Sequence, residues 1–358
     1  MRRTPTFLLT LALVLVLAAC GGGDDTASDE PAASEPAASE AASEESSAPS
    51  EAAQAEFDLT LAHSYQDGQP QVDCGANIIR DSVEAADVGV NVEIFGASQL
   101  GGDADRIQSV IAGDIDIDIQ GASALAAVYE PMSAVDGAFV FDDSEHMYQY
   151  FSTEASDPLK QGFEEETGVH ILGGWNTGAR QFTANVPIRS PADLEGLRMR
   201  FPPSPQFLMN AAAMGAEPVE VAFEELYLAL EQGTVDGQEN PITNIDANNL
   251  IEVQDVISLS AHQLSSNLVI IGDVWNEMST EQQDALAAAV EEAMVEEPVC
   301  AATAEEEILA GWEAGAVIEI VDDVDRDAFR EMAEPYLREN FTPEQVEVLD
   351  AIRSVADE

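Results

Sequence analysis

Residues 209–245, MNAAAMGAEPVEVAFEELYLALEQGTVDGQENPITNI, carry the alternation on which the fold rests. Over 222–232, Phe223, Leu226, Tyr227 and Leu230 recur at helical spacing, and Gly233 stands where a left-handed residue ends a helix. Val235 and Asp236 then re-enter a strand, which Gln238-Glu239-Asn240-Pro241 brings to a stop because proline lacks the ladder donor. Polar residues at the carboxyl end of a strand, just before a turn, are where open α/β sheets hold their ligands.

The same alternation extends outward. FDLTLAH (57–63) reads as a buried strand, 70–86 as a helix and VNVEIFG (90–96) as a second strand. Asp103 is expected to cap the helix ADRIQSVIAG, with Gly113 after its end. IDIDIQ (115–120) alternates apolar and acidic residues with the period of a half-exposed strand, and 169–175 reads as a further strand after the helical stretch around Phe163. This pattern predicts an α/β fold with largely parallel sheets. Asp114, Asp116 and Asp118 lack the glycine turn and distal glutamate of an EF-hand loop, so no metal site is read there.

Charge narrows the function. The chain has 13 Lys+Arg against 69 Asp+Glu, a formal charge of -56. Nucleic acid is an implausible partner for such a surface. The imbalance repels itself at low ionic strength and is screened in molar salt, where the Debye length is about 3 Å, which points to a salt-adapted organism. Against this background Arg180, Arg189, Arg198 and Arg200 fall together in GARQFTANVPIRSPADLEGLRMR (178–200). A guanidinium fork matches a carboxylate, so the cluster suggests recognition of a small organic anion. Structural ion pairing with neighbouring carboxylates is the competing reading of any one of these arginines.

At the amino terminus, Arg2 and Arg3 precede an apolar run over 7–19 that is too short to span a bilayer. It ends in Leu17-Ala18-Ala19-Cys20, small residues before a cysteine that resemble a bacterial lipobox. Residues 1–20 are thus expected to be a lipoprotein signal ending at Cys20. Residues 21–56, rich in Gly, Ala, Ser, Pro, Asp and Glu, read as a disordered acidic tether. The folded part, roughly three hundred residues, is long enough for two domains with real cores. It is expected outside the cell membrane and anchored to it.

Three segments taken together are similar to the extracytoplasmic solute-binding proteins of tripartite ATP-independent periplasmic (TRAP) transporters, the DctP-like family. They are GARQFTANVPIRSPADLEGLRMRFP, MGAEPVEVAFEELYLALEQGTVDGQENP and the Trp275 segment with the acidic helix after it. The resemblance implies a two-lobed periplasmic-binding-protein (Venus-flytrap) fold with chain crossovers and a ligand cleft. It places lobe I at 57–177 plus about 266–308 and lobe II at 178–265 plus about 309–358. A long bracing helix over 281 to about 311 is implied, and Pro298 is expected to kink or break it.

The family's carboxylate-binding arginine corresponds to Arg200 of Arg200-Phe201-Pro202, and a second to Arg180 of Gly178-Ala179-Arg180-Gln181. Asn240 would add a hydrogen bond and Phe223 an apolar wall. Gln120, Ser123 and His63 sit where first-lobe contacts are expected, and Arg189 and Arg198 are assigned to the surface. Pro203 stands where several members have a ligand-contacting Asn. Gly121 stands where some sugar-acid binders carry an acidic residue, which argues against a sialic-acid ligand. The implied function is capture of an organic carboxylate, a C4-dicarboxylate or similar, for delivery to DctQ/DctM-like membrane subunits. The alternatives are an ABC-type or a sensory solute-binding lipoprotein.

Enzymatic signatures are absent. His63, His146, His170 and His262 are scattered without metal-ligand spacing, and no nucleophile elbow or P-loop is found. No cofactor is expected. With Cys20 lipidated, Cys74 and Cys300 are left, and in an oxidising compartment they read best as one disulfide joining the first helix to the long late helix.

Overall fold

The structure is a computed structural model that describes residues 56–356. The expected signal segment, the lipidation site at Cys20 and the acidic segment up to residue 55 lie outside the described residues.

The strands are β1 (Phe57–Ala62), β2 (Val90–Phe95), β3 (Ile117–Gln120), β4 (His170–Ala184), β5 (Arg198–Phe201), β6 (Glu217–Glu220), β7 (Gly237–Pro241), β8 (Val256–Ile271) and β9 (Glu319–Val321). They form one sheet in the order β2-β1-β3-β8-β4-β7-β5-β6, with β9 paired to β8 off that path. At one end β1 pairs in parallel with β2 and β3, and at the other β5 pairs in parallel with β6 and β7. Between the ends run β4 and β8, long antiparallel partners. β8 pairs β3 through 268–271 and β9 through 256–258, so each of its halves serves a different end. The sheet is therefore mixed and not largely parallel, because the chain returns along β4 when it makes β8.

Several local expectations change in the structure. β4 does not end near Trp175 but continues to Ala184. Its glycines resemble a strand end in sequence, yet Gly173 lies against the long helix, where a Cβ would come within 2.9 Å of Val290 Cγ1. β3 is wholly buried, not half-exposed. Arg106, on the helix Asp103–Ala112, explains how an aspartate is tolerated there, since its Nε donates to Asp118 Oδ1 at 2.9 Å. Asp103 does not cap that helix: Gly102 holds the N-cap position, and Asp103 accepts from Arg106 Nη2 at 3.0 Å. The helix expected over 70–86 opens as a π-helical turn, Gln71–Ala76, before an α-helix, Asn77–Ala85. The one expected over 222–232 is a 3-10 turn, Phe223–Glu225, followed by Leu226–Glu231.

The long helix runs Thr280–Gly315 and passes through Pro298 in one piece. Contacts on both sides of the proline offset the backbone hydrogen bond it removes. Upstream, Leu286, Ala289, Val290, Ala293 and Met294 are buried. Downstream, Cys300 forms a disulfide with Cys74, Cα–Cα 6.4 Å, and Trp312 Nε1 donates to Asp246 Oδ1 at 3.1 Å. The main apolar core covers both ends of the sheet, and a second cluster gathers Leu226, Leu230, Ile245, Ile257 and Trp312. Among the described residues no helix is long and apolar enough to cross a membrane.

Candidate functional site

A cavity of about 450 Å³ lies beside the inner strands. Arg180, Arg200, Asn240, Phe223, Gln120 and Ser123 all line it, although they come from five separate stretches of chain. His63 is not among its lining residues. It is fully buried, its Nε2 lacks a partner, and burial together with the charge of Arg106 lowers its pKa to about 4.

Three arginines are buried among the described residues, Arg106, Arg180 and Arg200. Two have a buried carboxylate of their own: Asp118 for Arg106 and Glu239 for Arg180. Arg180 Nε donates to Glu239 Oε2, and its Nη2 donates to Glu239 Oε1 at 2.8 Å and to Asn240 Oδ1 at 3.1 Å. Its Nη1 donates to Ser265 Oγ at 3.1 Å, and its guanidinium carbon lies 4.9 Å from the centroid of the Phe207 ring. Burial opposes ionisation of Glu239, but Arg180 holds its pKa below the usual carboxylate range. The charge of Arg180, the match to the family's second arginine, is thus largely met by Glu239.

Arg200 differs. It sits on β5 two residues deeper than the exposed Arg198, which is paired with Asp236. Arg200 Nε donates to the Val221 carbonyl at 2.9 Å, its Nη1 is sealed without a partner, and no carboxylate reaches it within ion-pair distance among the described residues. Burial lowers its pKa to about 10, so it keeps its proton at neutral pH. A buried cation without a carboxylate is costly, and Arg200 lines the cavity. Arg189, with Asp323 at 2.9 Å, is exposed and away from the cavity.

The rest of the lining is uncharged or acidic. Gln120 Nε2 donates to Asp118 Oδ2 at 3.2 Å, and the Ser123 amide donates to Asp136 Oδ2 at 2.7 Å while its Oγ has no partner. Ser266 Oγ donates to Asp136 Oδ1 at 2.7 Å, and Tyr65 OH accepts from Asn267 Nδ2 at 2.6 Å. Asp136, Tyr65, Phe207, Ser265 and Ser266 were not singled out from sequence, since nothing local distinguishes them from other polar and aromatic residues. Glu239 was within reach, because it sits inside the Gln238–Pro241 stretch that ends β7. Among the described residues no group of three or more His, Cys, Asp or Glu is arranged to hold a metal ion.

A mixed sheet spanned by two long strands, a bracing helix, and a cavity with one uncompensated buried cation define a two-lobed binding protein for a small anionic solute. Residues 61–344 match the family of bacterial extracellular solute-binding proteins, family 7 (DctP), and the chain belongs to it. This family comprises the solute receptors of TRAP transporters. The chain is 31% identical over 269 residues to the 2,3-diketo-L-gulonate-binding periplasmic protein of Escherichia coli K12, covering 74% of this chain and 81% of that one. It is 31% identical over 278 residues to an uncharacterized protein of Sinorhizobium fredii, covering 77% of this chain but spanning only 51% of that relative's length. In structure it is similar to a TRAP periplasmic solute-binding protein from Polaromonas sp. JS666 bound to D-erythronate. That match has a TM-score of 0.78 and 27% identity and covers 85% of this chain and 100% of the other.

Proposed function

We propose that the chain captures a small organic carboxylate between lobe I (57–177 plus about 266–308) and lobe II (178–265 plus about 309–358) and delivers it to TRAP membrane subunits without chemical change. The observation that carries this is Arg200, a buried cation with no carboxylate of its own, facing a cavity sized for a small molecule. Arg200 takes the carboxylate, Asn240 and Arg180 Nη1 add hydrogen bonds, and Phe223 and Phe207 exclude water. The single unpaired guanidinium favours one carboxylate over two. The other lining amides and hydroxyls, with Asp103 and Asp136, suit hydroxyl groups better than a second anion. Hydroxylated monocarboxylates of the kind bound by the Escherichia coli and Polaromonas relatives fit better than a C4-dicarboxylate.

Thermal-shift screening of carboxylates in molar salt, on wild type and Arg200→Ala, tests this. Stabilisation by a monocarboxylate that disappears in folded Arg200→Ala supports the reading, and an equal shift in both proteins overturns it.

The leader and Cys20 add a lipid anchor to the proposal, and the excess of acid adds adaptation to a salty milieu. Cys20→Ser in the full chain is expected to move the protein from the membrane fraction to the soluble one. Retention in the membrane would exclude the acyl chains as its sole anchor.

A further inference from the structure

The long helix brings two carboxyl groups to the part of β4 just before Arg180, and the ligand reading uses neither. Glu297 is fully buried; its Oε1 accepts from Thr177 Oγ1 at 2.8 Å, and its Oε2 has no partner. Thr177 Oγ1 accepts in turn from Gln71 Nε2, leaving the buried Gln71 Oε1 unpartnered. Glu305 accepts from the Ile242 amide, while its sealed Oε1 occupies the space that a Cβ on Gly178 would need. Gly178 has φ +107°, a left-handed conformation open to glycine, and the β4–β8 register shifts between Asn176 and Ala179. Glu297 is therefore bonded to residue 177 of β4, while Glu305 packs against Gly178 and is bonded to the chain two residues after Asn240.

Among the described residues no cation lies within ion-pair distance of either carboxyl. Thr177 and Glu305 act on Glu297, the Ile242 amide acts on Glu305, and Tyr65 feels the charge of Glu297. Burial pushes Glu297 up to about 8, and burial pushes Glu305 up to about 7. Protonation of Glu297 supplies the donor that this group of unpartnered oxygens lacks, whereas its ionised form is left with a single hydroxyl.

We propose that Glu297 and Glu305 are positioning residues for the ligand site, holding the β4 irregularity, and with it Arg180 and Asn240, while protonated and releasing it on ionisation. This rests on the cavity being the carboxylate site. The test pairs two measurements on the full chain between pH 6 and pH 9. With D-erythronate as the probe, calorimetry is expected to show wild-type affinity falling by up to about tenfold per pH unit above pH 7. Glu297→Gln and Glu305→Gln should keep their pH 6 affinity at pH 9, and Glu305→Ala should bind weakly at both. A slope in the Gln variants equal to wild type, or normal binding by Glu305→Ala, overturns the proposal. The second measurement is hydrogen exchange of amides 176–180 without ligand, corrected for base catalysis. It should quicken with pH in wild type and not in the Gln variants. Failure of D-erythronate to bind anywhere counts against that ligand chemistry alone, while pH-independent exchange in wild type rules out the positioning role.

Discussion

Glu239 gives both carboxylate oxygens to Arg180 and neither to Arg200, although Arg200 lies on the neighbouring strand and feels the charge of Glu239. One arginine is thereby fixed as part of the wall, and the other, on the proposed reading, meets the solute.

This division predicts opposite stability effects. Glu239→Ala strands Arg180 as a buried charge and is expected to cost about 3–5 kcal/mol, read as a lower urea midpoint. Arg200→Ala removes a buried cation whose hydrogen bond goes to the Val221 carbonyl and not to a carboxylate, so the unliganded protein should keep or gain stability while losing carboxylate binding. A strongly destabilised, unliganded Arg200→Ala would assign that arginine a structural role. Arg189→Ala should leave affinity unchanged.

The Cys74–Cys300 disulfide closes a sequence separation of 226 residues. Cys74→Ser with Cys300→Ser is expected to lower stability by about 2–5 kcal/mol, because the open chain gains conformational freedom. The check is the melting temperature of wild type with and without reductant beside that of the double variant, which reductant should not shift.

Stability should fall with rising pH between about 6.5 and 8. Burial pushes Asp118 and Glu305 up to about 7 and Glu297 up to about 8, all above their values in the unfolded chain. Their stabilising contribution is complete below the ordinary carboxylate range and lost as pH rises through these raised values. His63 and His262, both lowered first by burial, act in the opposite sense, but only below the unfolded histidine value of 6.5. Above it the carboxyls act alone. Calorimetric melting at pH 6.5 and 8.5 should show the drop, and Glu297→Gln should reduce it.

How much of this was legible in the sequence depended on whether one residue or a pair carried the information. Arg200, Asn240 and Phe223 could be singled out because each sits in a local pattern, and the structure lines one cavity with them. The Gln238–Pro241 stretch put Glu239 near the site, but its pairing with Arg180 was not legible, since 69 acidic residues offer no way to tell which one meets a given arginine. The same applies to Arg106, a helix-borne cation resembling a surface residue whose guanidinium reaches β3. It is also why the aspartates of IDIDIQ suggested an exposed face. Pro298 does not break the helix, for a related reason: local propensity opposes a helix that tertiary contacts on both flanks keep continuous.

Salt should speed the capture of an anion. A chain of formal charge -56 repels it at long range, while Arg200 attracts it at contact. Raising salt from 0.1 to 1 M shortens the screening length from about 10 to about 3 Å and removes the distant term first. Stopped-flow association rates should rise across the range in which circular dichroism shows folded protein, with dissociation changing less. A steady fall in association rate would mean that the cavity's own positive potential dominates.

β8, which joins the two ends of the sheet, occupies residues 256–271, late in the chain. Until it emerges, β3 lacks one neighbour, β4 lacks its longest partner, and β9 has not yet been made. An amino-terminal fragment that stops short of this strand exposes an incomplete sheet. Such an order of assembly suits a polypeptide that is threaded across a membrane before it folds, because translocation meets little premature structure in the leading two-thirds of the chain. The cost is a long window in which bare strand edges face the solvent, and a surface crowded with carboxylates keeps those edges from meeting one another.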